Sequence, residues 1–187
     1  MTVKKILHYG DPVLLKRSEE VIDFSSELLI SLVKDLEDTM QAHNGAGLAA
    51  PQIGILKRVV IFGNKQSVDK PRYPDAEHVP YTVLINPQIT VLSDSTQGMW
   101  EGCLSVPGMR GYVERPDHIH YRGFDLQGNV IDREVSGFHA IVLQHECDHL
   151  DGILYPMKLS DPRMFGFEEE IAKSLSSQTK GENKVDP

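Results

Sequence analysis

The sequence has no long apolar run, only two cysteines, and fewer basic than acidic residues. No segment approaches the roughly 18 consecutive apolar residues that a membrane-spanning helix needs, which argues against a helical membrane protein. Residues 1–8 lack the apolar core of a secretory signal. We therefore expect a cytoplasmic protein that does not associate with membranes.

Acidic residues dominate the charge: 27 Asp and Glu stand against 19 Lys and Arg, for a net charge of -8. Proteins that bind nucleic acid usually carry a basic stripe, so no specific nucleic-acid binding is expected. The two cysteines, Cys103 and Cys147, could form a disulfide in a secreted protein. Without an export signal, reduced thiols are the favoured interpretation.

The composition is typical of one folded domain, with 187 residues of which 40% are apolar and 25% charged. Apolar residues at helical spacing predict a helix that begins at Ser25 or Ser26 and ends at Asn44-Gly45. A later helix is predicted to be capped by Ser136 and to end at Gly152.

Strands are predicted where apolar and β-branched residues cluster between turn residues. The candidates are 58–62, 82–86, 88–92, the neighbourhood of Val113, 118–124 and 130–135. Residues 63–81 are rich in Pro, Asp and Lys, which predicts a surface excursion. A C-terminal helix is predicted over 161–176, followed by a loose polar tail over 178–187. Together these elements predict a single α+β domain.

Residues 145–149 read His145-Glu146-Cys147-Asp148-His149, which is an HExxH motif. On a helix, residues i and i+4 differ by about 40° in azimuth, so both imidazoles project from one face and can bind one metal ion. Glu146 lies about 100° from His145, close enough to reach a metal-bound water without being a ligand. The motif predicts a metal-dependent hydrolase that needs a third ligand.

Cys103 is the preferred third ligand. It follows Gly102 on a segment that we expect to be irregular, where a side chain can be aimed out of a strand ladder. Cys147 lies about 200° from His145 around the helix, so its thiol points away from the ligand face. We expect Cys147 to be a small buried apolar residue.

A Cys-His-His set with an open fourth position is typical of a catalytic site, and Glu146 would then serve as the base. From the residues alone, three other interpretations stay open: a zinc peptidase, a structural metal site and an inactive relative. Many HExxH peptidases take a further His or Glu downstream, but no His follows His149 and the first Glu is Glu168. A structural site would need Cys147 as a fourth ligand.

Three separated motifs resemble the peptide deformylase family of bacteria and organelles, whose members remove the formyl group from the initiator formyl-methionine of new polypeptides. The motifs are Gly45-Ala46-Gly47-Leu48-Ala49-Ala50-Pro51-Gln52, Glu101-Gly102-Cys103-Leu104-Ser105 and Gln144-His145-Glu146-Cys147-Asp148-His149. The resemblance implies a single compact α+β domain of antiparallel strands packed around a central HExxH-bearing helix. Its catalytic part would be 1–160, and 161–187 would be a C-terminal helix and polar tail of the same domain.

The resemblance also implies roles for individual residues. The metal ligands would be Cys103, His145 and His149. Glu146 would act as the base, and the Gln52 side-chain amide and the Leu104 backbone N–H would form an oxyanion hole. The substrate-binding residues would be Gly45, Ala46, Gly47, Met99, Glu101, Arg110, Phe138, Ile141 and Val142.

The implied cofactor is one divalent metal ion. The ligand set alone favours zinc, whereas the resemblance favours Fe²⁺, with Zn²⁺, Ni²⁺ or Co²⁺ as alternatives. The implied partners are N-formyl-methionyl peptides and the ribosome near the exit of the nascent chain, in the bacterial cytoplasm.

Overall fold

The computed structural model describes residues 2–63 and 78–182, with side chains through residue 176. Its helices are α1 (Glu27–Ala42), α2 (Gly137–Leu150) and α3 (Glu168–Glu182). Its strands are β1 (Gly47–Ala49), β2 (Val59–Phe62), β3 (Thr82–Val91), β4 (Thr96–Cys103), β5 (Val106–Pro116), β6 (His118–Phe124), β7 (Val130–Ser136) and β8 (Phe165–Phe167). None of the described helices has the length and apolar character that crossing a bilayer requires.

The strands form two sheets. The larger sheet has the order β1-β2-β3-β6-β7, and the smaller has the order β4-β5-β8. All neighbouring strands within both sheets run antiparallel. The predicted α+β domain of antiparallel strands is confirmed.

The larger sheet is covered on both faces, which β2 shows most clearly. Its residues alternate between faces, as strand geometry requires. Val59 and Ile61 pack with the apolar face of α1, whereas Val60 and Phe62 pack with α2. Because both faces are buried, β2 is apolar at every position rather than at alternate ones.

Helix α2 lies between the two sheets. Its residues Ala140, Leu143, Cys147 and Leu150 belong to the apolar cluster formed with the larger sheet. On the side of the smaller sheet, Gln144 Nε2 donates a hydrogen bond of 2.8 Å to the carbonyl of Pro116. The HExxH helix is therefore central, as the resemblance implied.

The predicted limits of α1 hold closely. The Ser26 hydroxyl accepts a hydrogen bond from the first turn, and the helix ends at Ala42. Asn44 follows with a left-handed φ of 51°. This conformation is one that Asn tolerates well, and it turns the chain toward β1.

The predicted limits of α2 hold, but its N-terminal cap differs from the expected one in one hydrogen bond. Gly152 ends the helix region with a φ of 74°, and a Cβ there would meet the Leu15 carbonyl oxygen at 2.5 Å. Ser136 occupies the N-cap position, but its side chain makes no capping hydrogen bond. Ser136 is therefore the N-cap residue as predicted, and only the expected side-chain hydrogen bond is absent.

Several strands differ from the prediction. Strand β3 is continuous where two strands were predicted, and an irregularity between Ile85 and Gln88 explains the apparent break. Strands β1, β4 and β8 were not predicted. Strands β1 and β4 contain glycine, alanine or polar residues in place of a β-branched run, so local propensity gave little signal. Strand β8 is only three residues long with a central glycine, so it was not separated from the helix predicted over 161–176.

The C-terminal prediction needs two corrections. The helix begins at Glu168 rather than 161, because Phe165–Phe167 instead pairs with β5. It continues to Glu182, so the predicted loose tail is wrong over 178–182, while 183–187 lie outside the described residues. Most of the predicted excursion at 63–81 also lies outside them, and the division of the chain at 160/161 stays a prediction.

Candidate metal centre and active site

The three predicted ligands meet at one point. The Cys103 sulfur and one ring nitrogen each of His145 and His149 lie within 4.8 Å of one another, and all three residues are buried. Cys103 Sγ lies 3.3 Å from His149 Nε2. Among the described residues this is the one group of three or more His, Cys, Asp or Glu side chains close enough to share a metal ion.

Cys103 reaches the histidines because of a hairpin. It is the last residue of β4 and pairs with Val106, so Leu104 and Ser105 form the turn into β5. The register shifts between Glu101 and Cys103, a local irregularity of the kind that re-aims a side chain. The expected irregular segment is thus a shifted strand end followed by a tight turn.

The electrostatics of the cluster favour a thiolate. Burial by itself would raise the pKa of the Cys103 thiol, but the adjacent His149 and His145 imidazoles hold it well below its ordinary value. A thiolate, rather than a thiol, is the form that binds metal ions. The site therefore presents one anionic and two imidazole ligands.

Cys147 has a different environment. Its side chain belongs to the apolar cluster between α2 and the larger sheet, and burial raises the pKa of its thiol. Neither cysteine forms a disulfide. The prediction that Cys147 is a buried apolar residue facing away from the ligands is confirmed.

Glu146 lies beside the cluster and is almost fully buried, at 5% exposure. Its Oε2 atom has no hydrogen-bond partner within the described structure. Burial raises the pKa of Glu146 to about 7, although the nearby imidazoles oppose the shift. A carboxyl group with a pKa near neutrality is well suited to accepting and releasing a proton.

Gly47 makes room for this carboxylate. A Cβ atom at Gly47 would lie 2.3 Å from Glu146 Oε1, closer than any real contact. Since Gly47 sits in β1, the absence of a side chain there is required by Glu146 as well as by any ligand passing along the strand.

The Gln52 amide has a fixed orientation. Its Oε1 accepts a hydrogen bond of 2.8 Å from the Ala49 backbone N–H. Its Nε2 therefore faces the cluster, 3.4 Å from Cys103 Sγ and 3.1 Å from the Ser105 hydroxyl. Gln52 thus stabilises its own turn and also presents a donor beside the metal ligands.

A buried ion-pair network contacts His145 on the side of the imidazole that faces away from Cys103 and His149. His145 Nδ1 lies 2.7 Å from Glu101 Oε2, which leaves the other ring nitrogen for the cluster. Arg115 is only 1% exposed and binds Glu101 through two nitrogens and Asp148 through a third. Carboxylates behind metal-binding histidines fix their ring orientation and tautomer, and Glu101 is placed to do so here.

We expect Arg115→Met to destabilise the fold by about 3–5 kcal/mol, because it removes the buried guanidinium that neutralises the Glu101 carboxylate. Urea unfolding at equal metal content measures this loss. Arg163→Met is the matched control, since Arg163 is 89% exposed in its pair with Asp161. The control should cost no more than about 1 kcal/mol. Equal losses in the two variants would contradict a structural role for the network.

A small cavity of about 40 Å³ opens onto the cluster. The predicted site residues that line it are Gly45, Ala46, Gly47, Gln52, Met99, Glu101, Cys103, Leu104, Phe138, Ile141, Val142, His145 and Glu146. The structure thus brings together residues that are far apart in the sequence. Of the predicted set, His149 and Arg110 do not line this cavity.

Arg110 faces a neighbouring depression instead, where its Nη2 lies 2.7 Å from Glu168 Oε1. A Cβ at Gly102 would meet its guanidinium Nη1 at 2.8 Å, so Arg110 packs against the backbone just before Cys103. Its role in substrate binding stays a prediction.

The sequence did not predict that Ser105 and Arg115 belong to the site. It also did not predict the contact between Glu101 and His145. Ser105 is fully buried and its backbone N–H donates to Cys103 Sγ at 3.4 Å. No local pattern signalled the contact of Glu101, because His145 lies 44 positions away in the chain. No sequence pattern indicated that Arg115, within β5, would be buried.

The α+β fold and the buried Cys-His-His cluster beside a carboxylate define a metal-dependent hydrolase of the HExxH kind. The Polypeptide deformylase family profile matches residues 3–164. Peptide deformylase 1 of Nitrosomonas europaea is 55% identical over 169 residues, which cover 90% of this chain and 94% of that protein. Peptide deformylase 1 of Prochlorococcus marinus is 53% identical over 91% of this chain and 88% of that protein.

A solved structure shows the same relationship. The class I type b peptide deformylase from Acinetobacter baumannii, in a crystal structure with Met-Ala-Ser bound, has a TM-score of 0.79 and 38% identity, and the match covers 84% of this chain and 99% of that one. The chain therefore belongs to the polypeptide deformylase family, whose enzymes deformylate N-formyl-methionine. Neither the peptidase nor the structural-domain interpretation survives.

Proposed function

We propose that the cavity beside Glu146 receives the formyl-methionine end of a polypeptide and that the residues around it hydrolyse the formamide bond. The observation that carries this proposal is the joint burial of Cys103, His145 and His149 next to an unpartnered Glu146 oxygen. The Met-Ala-Ser peptide bound in the Acinetobacter baumannii relative supports a peptide ligand.

The donor chemistry fits a divalent metal ion held by Cys103, His145 and His149. A thiolate and two imidazoles suit Fe²⁺, Zn²⁺, Ni²⁺ and Co²⁺, and metal supply decides among such ions as much as affinity does. We propose Fe²⁺, with zinc second. When bound, the ion supplies Lewis acidity, which polarises a carbonyl group and makes water a stronger nucleophile. Purification without oxygen, followed by elemental analysis, tests the metal assignment.

Glu146 would carry out the proton transfers. It accepts one from the attacking water as the water oxygen bonds to the formyl carbon. It then delivers that proton to the methionine nitrogen as the carbon–nitrogen bond breaks, which releases formate and a free amine.

Gln52 Nε2 and the Leu104 backbone N–H would donate hydrogen bonds to the formyl oxygen as it gains negative charge. In other hydrolases a single donor of this kind contributes about 10²–10³ in rate. The hydrogen bond from Ala49 to Gln52 Oε1 supports this role, because it prevents the amide from presenting its oxygen instead.

The methionine side chain would enter the apolar part of the cavity. Met99, Phe138, Ile141 and Val142 line it, and the first turns of α2 supply the last three. Gly45, Ala46 and Gly47 would lie along the substrate backbone, where an extended peptide can add as a strand. We assign Glu101 the task of orienting His145 rather than touching the substrate.

We also propose a bacterial cytoplasmic location, supported by the bacterial relatives and by two cysteines that form no disulfide. The substrates would be nascent chains, so the ribosome near the chain exit is the proposed site of encounter. Pull-down of the metal-loaded enzyme with purified ribosomes tests this partner.

The acyl group provides the test of the proposed reaction. A formyl carbon carries only hydrogen, whereas an acetyl group adds a methyl where the water must attack, and small displacements there can cost about 10²-fold. We expect kcat/KM for formyl-Met-Ala-Ser to exceed that for acetyl-Met-Ala-Ser by at least about 10²-fold on the same argument. Comparable values would indicate a broader amidohydrolase. Cleavage at internal peptide bonds would also contradict the proposal.

A further inference from the structure

A second, larger depression adjoins the reaction cavity. It has a volume of about 630 Å³ and shares Gly102, Cys103 and Leu104 with the cavity beside Glu146. Its charged and imidazole-bearing lining residues are Lys4, Lys5, His8, His43, Arg110 and Glu168. We call this surface the basic depression.

Its charge is opposite to that of the whole chain, which carries a net charge of -8. Glu168 is the single carboxylate among its described lining residues, and it pairs with Arg110 at 2.7 Å. Lys4 is held by Asp35 at 3.1 Å. Lys5 is exposed and forms no ion pair with any described residue, so its charge is available to a ligand.

The rim of the basic depression is anchored near the reaction cavity. His43 follows the end of α1, and its Nδ1 lies 2.9 Å from the Thr39 carbonyl oxygen, which orients the ring. Two residues further along, Gly45 already lines the reaction cavity. The two cavities therefore adjoin each other, at Gly102–Leu104 and at the segment after α1.

An extended chain advances at most about 3.3–3.6 Å per residue, so a peptide whose formyl group lies beside Glu146 leaves the small reaction cavity within a few residues. We propose that the basic depression receives the substrate residues that follow the first three and favours acidic side chains among them. This proposal rests on the proposed function, because it assumes which end of the peptide occupies the reaction cavity.

Peptides with charged tails test the proposal on the metal-loaded enzyme. Formyl-Met-Ala-Ser is extended by three residues of Glu, Gln or Lys. An exposed charge pair contributes only a small amount, so we expect kcat/KM for the Glu tail to exceed that for the Lys tail by about tenfold at low salt, mainly through KM. The Gln tail should fall between them. At about 0.5 M salt the ratio should drop below about twofold, because exposed charges are then screened.

Two charge-reversal variants locate the effect. Lys5→Glu should abolish or reverse the preference for the Glu tail over the Lys tail. Lys16→Glu makes the same change in net charge at an exposed lysine outside the basic depression, so it should keep the wild-type ratio. An equal shift in both variants would overturn the proposal in favour of a general charge effect.

A binding measurement separates this proposal from the proposed reaction. Calorimetry with the formyl-free peptides Met-Ala-Ser-Glu-Glu-Glu and Met-Ala-Ser-Lys-Lys-Lys reports affinity without turnover, and the acidic peptide should bind more tightly. Equal or weaker binding of the acidic peptide would overturn the preference. Failure to cleave formyl-Met-Ala-Ser would instead refute the reaction, while the binding order would still decide the role of the basic depression.

Discussion

Glu146→Gln is expected to lower kcat by about 10²–10⁴-fold, the range that a positioned general acid–base group contributes. The substitution keeps the size of the side chain and leaves Cys103, His145 and His149 intact. Metal content should therefore stay at the wild-type level. Steady-state assay on formyl-Met-Ala-Ser, together with elemental analysis of the same sample, measures both quantities.

Glu134→Gln is a suitable control for this variant, because Glu134 is an exposed β7 residue that forms an ion pair with His118 and lies outside the reaction cavity. It should retain normal turnover. Near-normal activity of Glu146→Gln would require another base for the reaction. Loss of metal from that variant would mean that Glu146 is itself a ligand.

Cys103→Ala should weaken metal binding by more than about 100-fold, since removal of an outer partner of a ligand already costs about 10–100-fold. Activity should fall with the metal content. Cys147→Ala is the matched control, because it makes the same cysteine-to-alanine change at the other cysteine. It should leave metal content close to wild type. Titration of each apoprotein with a chromophoric metal competitor gives the affinities.

Comparable metal loss in the two cysteine variants would mean that Cys147 also holds the metal, which would contradict the proposed three-ligand site. A modest loss of stability in Cys147→Ala would not contradict the three-ligand site, because Cys147 fills space in the cluster between α2 and the larger sheet. Stability and metal content are therefore measured separately on that variant.

Local pattern in the sequence determined the parts of this protein that depend on neighbouring residues. The HExxH spacing predicts two histidines on one face of a helix and places Cys147 on another, because helix geometry fixes those angles. The limits of α1 followed from the same periodicity and from the turn preference of Asn44. Two histidines leave a metal under-coordinated, and helix geometry turns Cys147 away from them, so Cys103 was the preferred third ligand.

The tertiary structure alone decided what those residues touch. Cys103 and His149 are separated by 46 positions in the chain and Gln52 and Cys103 by 51, so no local pattern reports their contact. The hairpin between β4 and β5 brings the thiolate to the helix. The buried Arg115 network and the space that Gly47 leaves for Glu146 likewise arise from packing between elements. Sequence periodicity specifies the direction of a side chain from its own element, and only the folded chain specifies what lies opposite.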